Sequence, residues 1–460
     1  MRIGSTLSVQ RYVFGAEAPS ARERFTLPRF LFGMIFQGIW WAGYLLVPFV
    51  LAKSLAAPAT LITLAVAMDT GGMFLALHWG HLLARGLGRQ VTFWGGVAGR
   101  LIFLLSFLTT SAASFLILLA VVYFFAALVY PAQNGILQAN FRPRLQGRIW
   151  GLGTSIQNFV AVATSLVMGM VLDRDPDLYR AVYAVIGCCG FVYLLVLSRL
   201  FLPATVVPGG TEQPAMPDCG TGEPRLPPPL PAWELLRAGR LLRGLVRPFS
   251  EALTIFRRDR GYLWYEINFT VYGMAFLMIY AMLPGLLASH LGLSYEQIST
   301  GRIVIAQAGV ALLAPLMGRF SDRHHPARLC QLAFGIMALF PVGLILAHDL
   351  QTSRPDLLVY AVFAVYAVGM SGVNIGWNVG SISFAPPGQG SRYQGIHVAL
   401  VGVRGLLGPG LGLVIYRLYG MTQVFVVAFG FLVVASFSAG ALSGWLKRFK
   451  NRVPSSDCGS

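Results

Sequence analysis

Two acidic side chains lie well inside apolar segments of the chain, where an unpaired charge is costly. Of the 18 Asp and Glu residues, Asp69 and Glu266 have this position. A carboxylate in apolar surroundings either pairs with a cation or binds a proton. Because a carboxylate can alternate between these states when its surroundings change, both residues are candidates for gating or proton coupling.

Glu266 has a second interpretation, which the sequence favours. It lies about one helical turn from the start of its apolar segment. A carboxylate so close to the membrane surface is solvated or extends to the interface. A proton site at the mouth of a cavity is the alternative.

Basic side chains also occur inside apolar segments. Arg302, near the start of its segment, either attracts an anionic solute or extends to the membrane interface. Arg100 is expected to bond to a neighbouring helix rather than contact a solute. His397 is able to titrate near neutral pH, although hydrogen bonding within the bundle is the favoured interpretation.

The elements that must position these residues are apolar segments long enough to cross a membrane. Of the 460 residues, 56% are hydrophobic and 12% are charged, too few polar side chains to cover a soluble protein of this size. Segments of about 20 apolar residues, which cross a bilayer as a helix, recur along the chain. We therefore predict an all-α integral membrane protein with twelve helices, at approximately 29–52, 58–83, 91–109, 114–138, 147–172, 180–201, 262–288, 297–317, 328–348, 356–379, 393–416 and 421–445.

The distribution of positive charge predicts the orientation in the membrane. Most of the 35 Lys and Arg residues lie in the N-terminal tail, the even-numbered loops, the middle of the chain and the C-terminal tail. Positive charge is retained on the cytoplasmic side, so we expect both termini to be cytoplasmic in a multi-pass protein of a bacterial inner membrane. The net charge of +17 therefore reflects topology, and no nucleic-acid partner is expected. The polar start of the chain shows no pattern of a removable signal peptide.

A helix-to-helix corner is repeated at half the chain length. Tyr44 and Pro48 in the first apolar segment match Tyr280 and Pro284 in the seventh, with the same spacing. Such a repeat indicates two six-helix bundles related by pseudo-symmetry. The predicted organisation is an N-terminal tail (1–28), a first bundle (29–202), a cytoplasmic linker with an amphipathic basic helix (203–261), a second bundle (262–446) and a C-terminal tail (447–460).

A loop motif follows the eighth segment and reads Gly-Arg-Phe-Ser-Asp-Arg from Gly318 to Arg323, with Asp322 as its acid. The corresponding loop after the second segment retains Arg89 but has Arg85 in place of the acid. With twelve segments, an internal duplication and a central linker, this motif resembles the major facilitator superfamily of transporters, whose loop signature is Gly-x-Leu-Ala-Asp-Arg-x-Gly-Arg. No substrate subfamily follows from the resemblance.

The resemblance implies two six-helix domains that rock around a central cavity and expose it alternately to each side. Helices 1, 4, 7 and 10 would line the cavity, and helix 2 would meet helix 11 across the seam between the domains. Asp69 and Arg404 both lie near the middle of their helices, so we expect an ion pair between them across this seam. The pair either gates the transporter and couples it to protons, or holds the halves in register. Asp322 is expected to hold the start of helix 5 near Arg148 and so close the inner gate.

Amide and aromatic side chains on the candidate lining helices describe a mixed cavity. Each amide can bind a solute or bond across helices, and each ring can line the cavity or pack in the core. The mixture suits an organic solute of modest size better than a bare inorganic ion. The candidate cavity residues are Gln37, Trp41, Asn134, Gln138, Asn268, Tyr272, Asn374 and Asn378.

These features together predict secondary active transport of a small organic solute, coupled to protons. No phosphate-binding loop, metal-ligand cluster or nucleophile-base arrangement is recognisable, so we expect neither an enzyme nor a cofactor or metal. The alternatives are a multidrug efflux transporter, which the aromatic cavity supports, and a non-transporting membrane sensor or assembly factor with the same fold. The expected partners are the solute, protons and the lipid bilayer, and the expected state is a monomer.

Overall fold

The computed structural model describes residues 13–14, 18–83, 87–201, 252–350, 353–386 and 390–452, and these residues form helices and no strands. Twelve of the helical segments are long and apolar enough to cross a membrane, which confirms the predicted number. They are α1 (Ala21–Lys53), α2 (Ala59–Gly80), α3 (Gly88–Leu108), α4 (Ala112–Leu137), α5 (Arg148–Arg174), α6 (Pro176–Arg199), α7 (Arg260–His290), α8 (Tyr295–Ser321), α9 (Pro326–Asp349), α10 (Pro355–Asn378), α11 (Tyr393–Tyr419) and α12 (Met421–Arg448).

Polar caps set the starts of several helices. Ser20 accepts a hydrogen bond from the Glu23 backbone, and the Glu23 carboxylate accepts one from the Ser20 backbone, so α1 begins at Ala21 rather than at the predicted residue 29. Asp259 caps α7 in a similar way. The caps supply partners for backbone groups that the helix leaves unpaired at its end.

The two halves meet along α2 and α11 and at the start of α8, which packs on the end of α5. We call the end of the bundle where α1 begins the inner end, and the opposite end the outer end. At the α2–α11 contact, Thr70 Oγ1 donates to the Gly405 carbonyl at 3.1 Å. A β-carbon at position 405 would lie 2.7 Å from Thr70 atoms, so this glycine permits the close approach of the two helices. The seam between helices 2 and 11 that the resemblance implied is therefore present.

Irregular turns interrupt several helices of the second half. Among the described residues, π-helical turns occur at Gly285–His290, Thr300–Ile305 and Gly376–Gly380. Such turns often mark functional positions, because they rotate the side chains that follow. One of them carries Arg302. The predicted amphipathic helix of the linker, from Trp233 onward, lies outside the described residues.

Candidate transport site

Asp69 is held by Tyr44 of α1, whose hydroxyl donates to Oδ1 of the carboxylate. The predicted Asp69–Arg404 ion pair is not formed. Instead the next residue on each helix, Thr70 and Gly405, makes the contact between α2 and α11. Successive residues of a helix point about 100° apart, so a contact at Thr70 and Gly405 turns Asp69 toward α1 and Arg404 toward α7. The prediction named the correct pair of helices and the wrong residues.

Arg404 is buried against α7. Its Nη1 donates to the Phe269 carbonyl at 2.7 Å, and its guanidinium carbon lies 5.9 Å from the centre of the Phe269 ring. A β-carbon at Gly273 would overlap the arginine side chain, so the glycine provides the space that this side chain occupies. Arg404 also attracts the carboxylate of Glu266, which lies on α7 like Phe269.

Glu266 pairs with His397 inside the second bundle. The carboxylate oxygens lie 3.0 and 2.9 Å from Nδ1 of the histidine, and the two side chains are 2% and 0% exposed. The interpretation of Glu266 as a solvated carboxylate is therefore wrong, because the residue faces α11 rather than the membrane surface. The hydrogen-bonded interpretation of His397 is confirmed. Phe269 and Trp377 pack edge-on against the imidazole, and its Nε2 has no hydrogen-bond partner.

Arg302 lies between two tyrosine rings. Its guanidinium carbon is 5.4 Å from the ring centre of Tyr280 on α7 and 5.7 Å from that of Tyr366 on α10. The residue is 5% exposed and its Nη1 has no hydrogen-bond partner. The alternative in which Arg302 extends to the interface is therefore wrong. Tyr44 and Tyr280 are the tyrosines of the sequence repeat, and each contacts a charge on the following helix, an acid in the first half and a base in the second.

Arg100 follows the expectation from the sequence. It lies over the Trp40 ring of α1 at 3.5 Å and is 3% exposed, at the point where α3 changes from an α-helix to a 3₁₀ helix. It thus packs inside the first bundle.

A polar latch, formed by Lys53, Ser54, Asp173 and the start of α8, joins the two halves at the outer end. Asp173 of α5 accepts hydrogen bonds from the backbone nitrogens of Tyr295 and Glu296 at 2.7 and 2.8 Å. Lys53 pairs with Asp173 at 3.2 Å and also donates to the Leu293 carbonyl at 3.0 Å. No motif in the sequence predicts this latch, although Lys53 is one of few basic residues in the odd-numbered loops.

The predicted cavity residues divide into buried and exposed groups. Gln37 and Asn268 are buried, and each has a polar atom without a partner. The exposed amides are those of α4 and α10, where the Asn378 amide donates to the Asn374 carbonyl at 2.7 Å and Asn134 is also accessible. Trp41 stacks on Tyr44 at 5.4 Å, Tyr272 approaches the Met370 sulfur at 3.6 Å, and the side chain of Gln138 lies outside the described part of the chain.

The loop motif lies at the inner end of α8. Gly318 lies in the last turns of α8, the helix continues beyond the apolar segment to Arg323, and Arg323 and Arg89 are exposed. The Asp322 side chain is outside the described residues, so its contact with the start of α5 stays a prediction. Among the described residues, no group of three His, Cys, Asp or Glu side chains could hold a metal ion.

The family is decided by the match of residues 30–403 to the model of the Major Facilitator Superfamily. The chain belongs to this superfamily. A search of curated proteins finds no match. The superfamily fold is also that of the solved structures most similar to this chain, which include transporters of several classes of solute.

Three of these structures illustrate the range. The nucleoside transporter NupG is 12% identical, with a TM-score of 0.65 over 91% of this chain and 99% of that chain. A peptide transporter, POT, in complex with alafosfalin is 13% identical, with a TM-score of 0.65 over 90% and 95%. The human organic anion transporter MFSD10 is 14% identical, with a TM-score of 0.57 over 91% and 99%. At these identities the likeness shows the fold of a secondary transporter of this superfamily and not its solute.

Proposed function

We propose that the chain moves a small organic solute across the membrane by alternating access and couples this movement to protons. The observation that carries the proposal is the buried Glu266–His397 pair, at 2.9 Å between α7 and α11. A carboxylate and an imidazole in contact can hold one shared proton or release it. A titratable pair inside a transporter bundle is the type of site that proton coupling requires.

Arg404 supports this role because its charge makes both states of the pair tolerable. With a proton on the pair, the group of three side chains has a net charge of about +1, and without it the charges of Glu266 and Arg404 cancel. Arg404 itself is held by the Phe269 carbonyl at 2.7 Å and stays charged. The proton can therefore leave and return without an isolated buried carboxylate.

Asp69 is a second candidate for gating or coupling. It carries one hydrogen bond from Tyr44 and lies next to the α2–α11 seam. Movement of the halves along this seam would change the surroundings of the carboxylate, and thus its preference for a proton. Asp322 is proposed to keep the inner gate closed, at the end of the bundle opposite the latch at Asp173.

The solute is proposed to be organic because amides and rings surround the interior. The Gln37 Oε1 and the Asn268 Nδ2 are buried without partners, and a solute with hydrogen-bonding groups would satisfy them. Exposed amides on α4 and α10 add further polar contacts. This set of groups suits a modest-sized polar molecule with an apolar part.

The orientation and organisation in the membrane are also proposed. The concentration of Lys and Arg in the tails, even-numbered loops and linker supports cytoplasmic termini in a bacterial inner membrane. The segment 203–261 is proposed as a cytoplasmic linker between two bundles of one monomer.

The proposal is tested in two steps. A thermal-shift screen of metabolites identifies a solute that stabilises the purified protein, and uptake of that solute into proteoliposomes is then measured with and without a pH gradient. Accumulation should require the gradient. The Glu266→Gln variant should retain exchange of solute at equilibrium and lose gradient-driven accumulation, while the exposed Asp177→Asn control should behave like the parent.

Accumulation that is unaffected by the gradient would refute proton coupling. A stabilising solute that binds but is never transported would instead support the sensor alternative.

A further inference from the structure

We propose that Arg302 binds an anionic group of the solute, so that the transported molecule carries a carboxylate or a similar oxyanion. This inference rests on the proposed function, because it names the class of solute for that site. It is inferred from the buried guanidinium without an ion pair, from its contacts with two tyrosine rings, and from its position near the outer latch.

The Arg302 guanidinium is a buried charge without a counterion. It is 5% exposed, and none of the ion pairs formed among the described residues includes it. Nη1 has no hydrogen-bond partner. Because an arginine does not lose its proton in a protein, an anion that enters the site would balance this charge.

The two tyrosines hold the guanidinium through their rings and hydroxyl groups and leave its Nη1 without a hydrogen-bond partner. Contacts between a cation and aromatic rings, here at 5.4 and 5.7 Å, act on the charge rather than on the N–H groups. The N–H groups of Nη1 thus remain as donors for a ligand. Paired N–H donors of this geometry match the two oxygens of a carboxylate.

Aromatic rings connect Arg302 with the predicted solute cavity. Along α7, Tyr272 stacks on Phe276 and Phe276 on Tyr280, each at 6.1 Å between ring centres. Phe276 also stacks on Tyr366 at 6.4 Å. An apolar solute body that lies along this ladder would bring an anionic end to Arg302.

Arg302 also lies just inside the outer latch. It is about two turns, or roughly 10 Å, along α8 from Tyr295, whose backbone nitrogen Asp173 holds. When the latch opens, the arginine is among the first charges that an entering solute meets. Across the seam, the equivalent tyrosine of the first half, Tyr44, holds the acid Asp69, so an anion is drawn to the second half.

Binding of matched pairs of solutes to the purified full-length protein tests the inference. The probes are acetate, benzoate, succinate and indole-3-acetate, each compared with its neutral amide, and the measurements are thermal shift and equilibrium binding. At least one carboxylate should bind and its amide should bind about 10- to 100-fold more weakly. Arg302→Gln should remove this preference and Arg302→Lys should keep part of it.

Arg100→Gln is the matched control, because Arg100 is equally buried and also has an unpartnered Nη1, yet it packs within the first bundle. This variant should keep the preference for carboxylates. Equal binding of acids and amides by the parent protein, or no binding of any of the four carboxylates, would overturn the inference without the use of any variant. Carboxylate binding that Arg302→Gln leaves unchanged would overturn it as well.

Flux measurements separate this inference from the proposed function. Carboxylate binding through Arg302 without any transport supports the anion site and refutes transport. Transport of a neutral solute that Arg302→Gln does not alter supports transport and refutes the anion site.

Discussion

The latch at Asp173 gives a prediction whose size follows from the contacts. Asp173→Ala removes two hydrogen bonds to backbone nitrogens of α8 and the ion pair with Lys53. A hydrogen bond to a charged group contributes about 1.5–3 kcal/mol and an exposed ion pair about 0.2–1 kcal/mol. The Lys53 and Asp173 side chains are 28% and 23% exposed, so solvent screens them and the lower values apply.

We therefore expect Asp173→Ala to shift the equilibrium toward an open outer end by about 3 kcal/mol, or roughly 100-fold. Asp173→Asn keeps a neutral acceptor for the backbone nitrogens, so its shift should be about 1 kcal/mol, or roughly 5-fold. The order of the two variants follows from the hydrogen-bond acceptor that asparagine retains and alanine lacks, and it does not depend on the absolute values.

Cysteine accessibility below the latch measures this shift. Ser299 is fully buried on α8, one turn beyond Tyr295, and Ser299→Cys is a nearly isosteric change. The five native cysteines are first replaced by alanine, and the rate of modification by a membrane-impermeant maleimide is measured. The rate should rise in proportion to the open population.

Asp177→Ala is the control, because this outer carboxylate pairs at 3.6 Å with Arg180, three residues along the chain, and not with α8. A change of less than about threefold in the modification rate with Asp173→Ala, or an equal rise with the control variant, would show that Asp173 does not hold the outer end closed.

Two further predictions concern packing and pH. Gly273→Ala should displace Arg404 from the Phe269 carbonyl and reduce the free energy of unfolding in detergent by about 2–3 kcal/mol. Gly410→Ala is the control, because a β-carbon at that position meets nothing within 4 Å, and it should have little effect. Equal losses of stability in the two variants would contradict the packing argument. His325 accepts a hydrogen bond from the Ala327 backbone at 3.2 Å at the start of α9, and burial lowers its pKa from the usual 6.5. Since the unfolded chain then binds more protons, stability should be lost as the pH falls through the unfolded pKa near 6.5. In thermal unfolding at a series of pH values, His325→Asn, which retains an acceptor, should weaken this pH dependence. An unchanged pH profile in the variant would argue against a role of His325.

The helices could be predicted from the sequence because the membrane imposes a local rule. A chain inside hydrocarbon must satisfy its backbone hydrogen bonds within each segment, so each crossing appears as an apolar stretch of about 20 residues. The first and last residues of each helix are harder to predict. α1 begins at Ala21 because Ser20 and Glu23 cap it, and hydropathy does not register a helix that continues beyond the membrane.

The partners of the buried charges could not be predicted in the same way. Asp69, Glu266 and Arg404 were found because charged residues are rare in apolar segments. Their contacts depend on how each helix is rotated against its neighbours, and a change of one residue moves a side chain by about 100°. Glu266 was therefore placed at the membrane surface, whereas it faces His397 on a helix 131 positions away in the chain.

The twelve helices and the duplicated corner at Tyr44 and Tyr280 follow from the sequence alone, since each of these depends on composition or on local spacing. Which groups meet depends on the folded arrangement of the helices: Tyr44 contacts Asp69, Tyr280 contacts Arg302, and Asp173 binds the start of α8. These contacts join segments that are distant in the chain, and their geometry is fixed by the packing of whole helices. The repeat therefore predicted two equivalent tyrosines, and the fold supplied them with opposite charges.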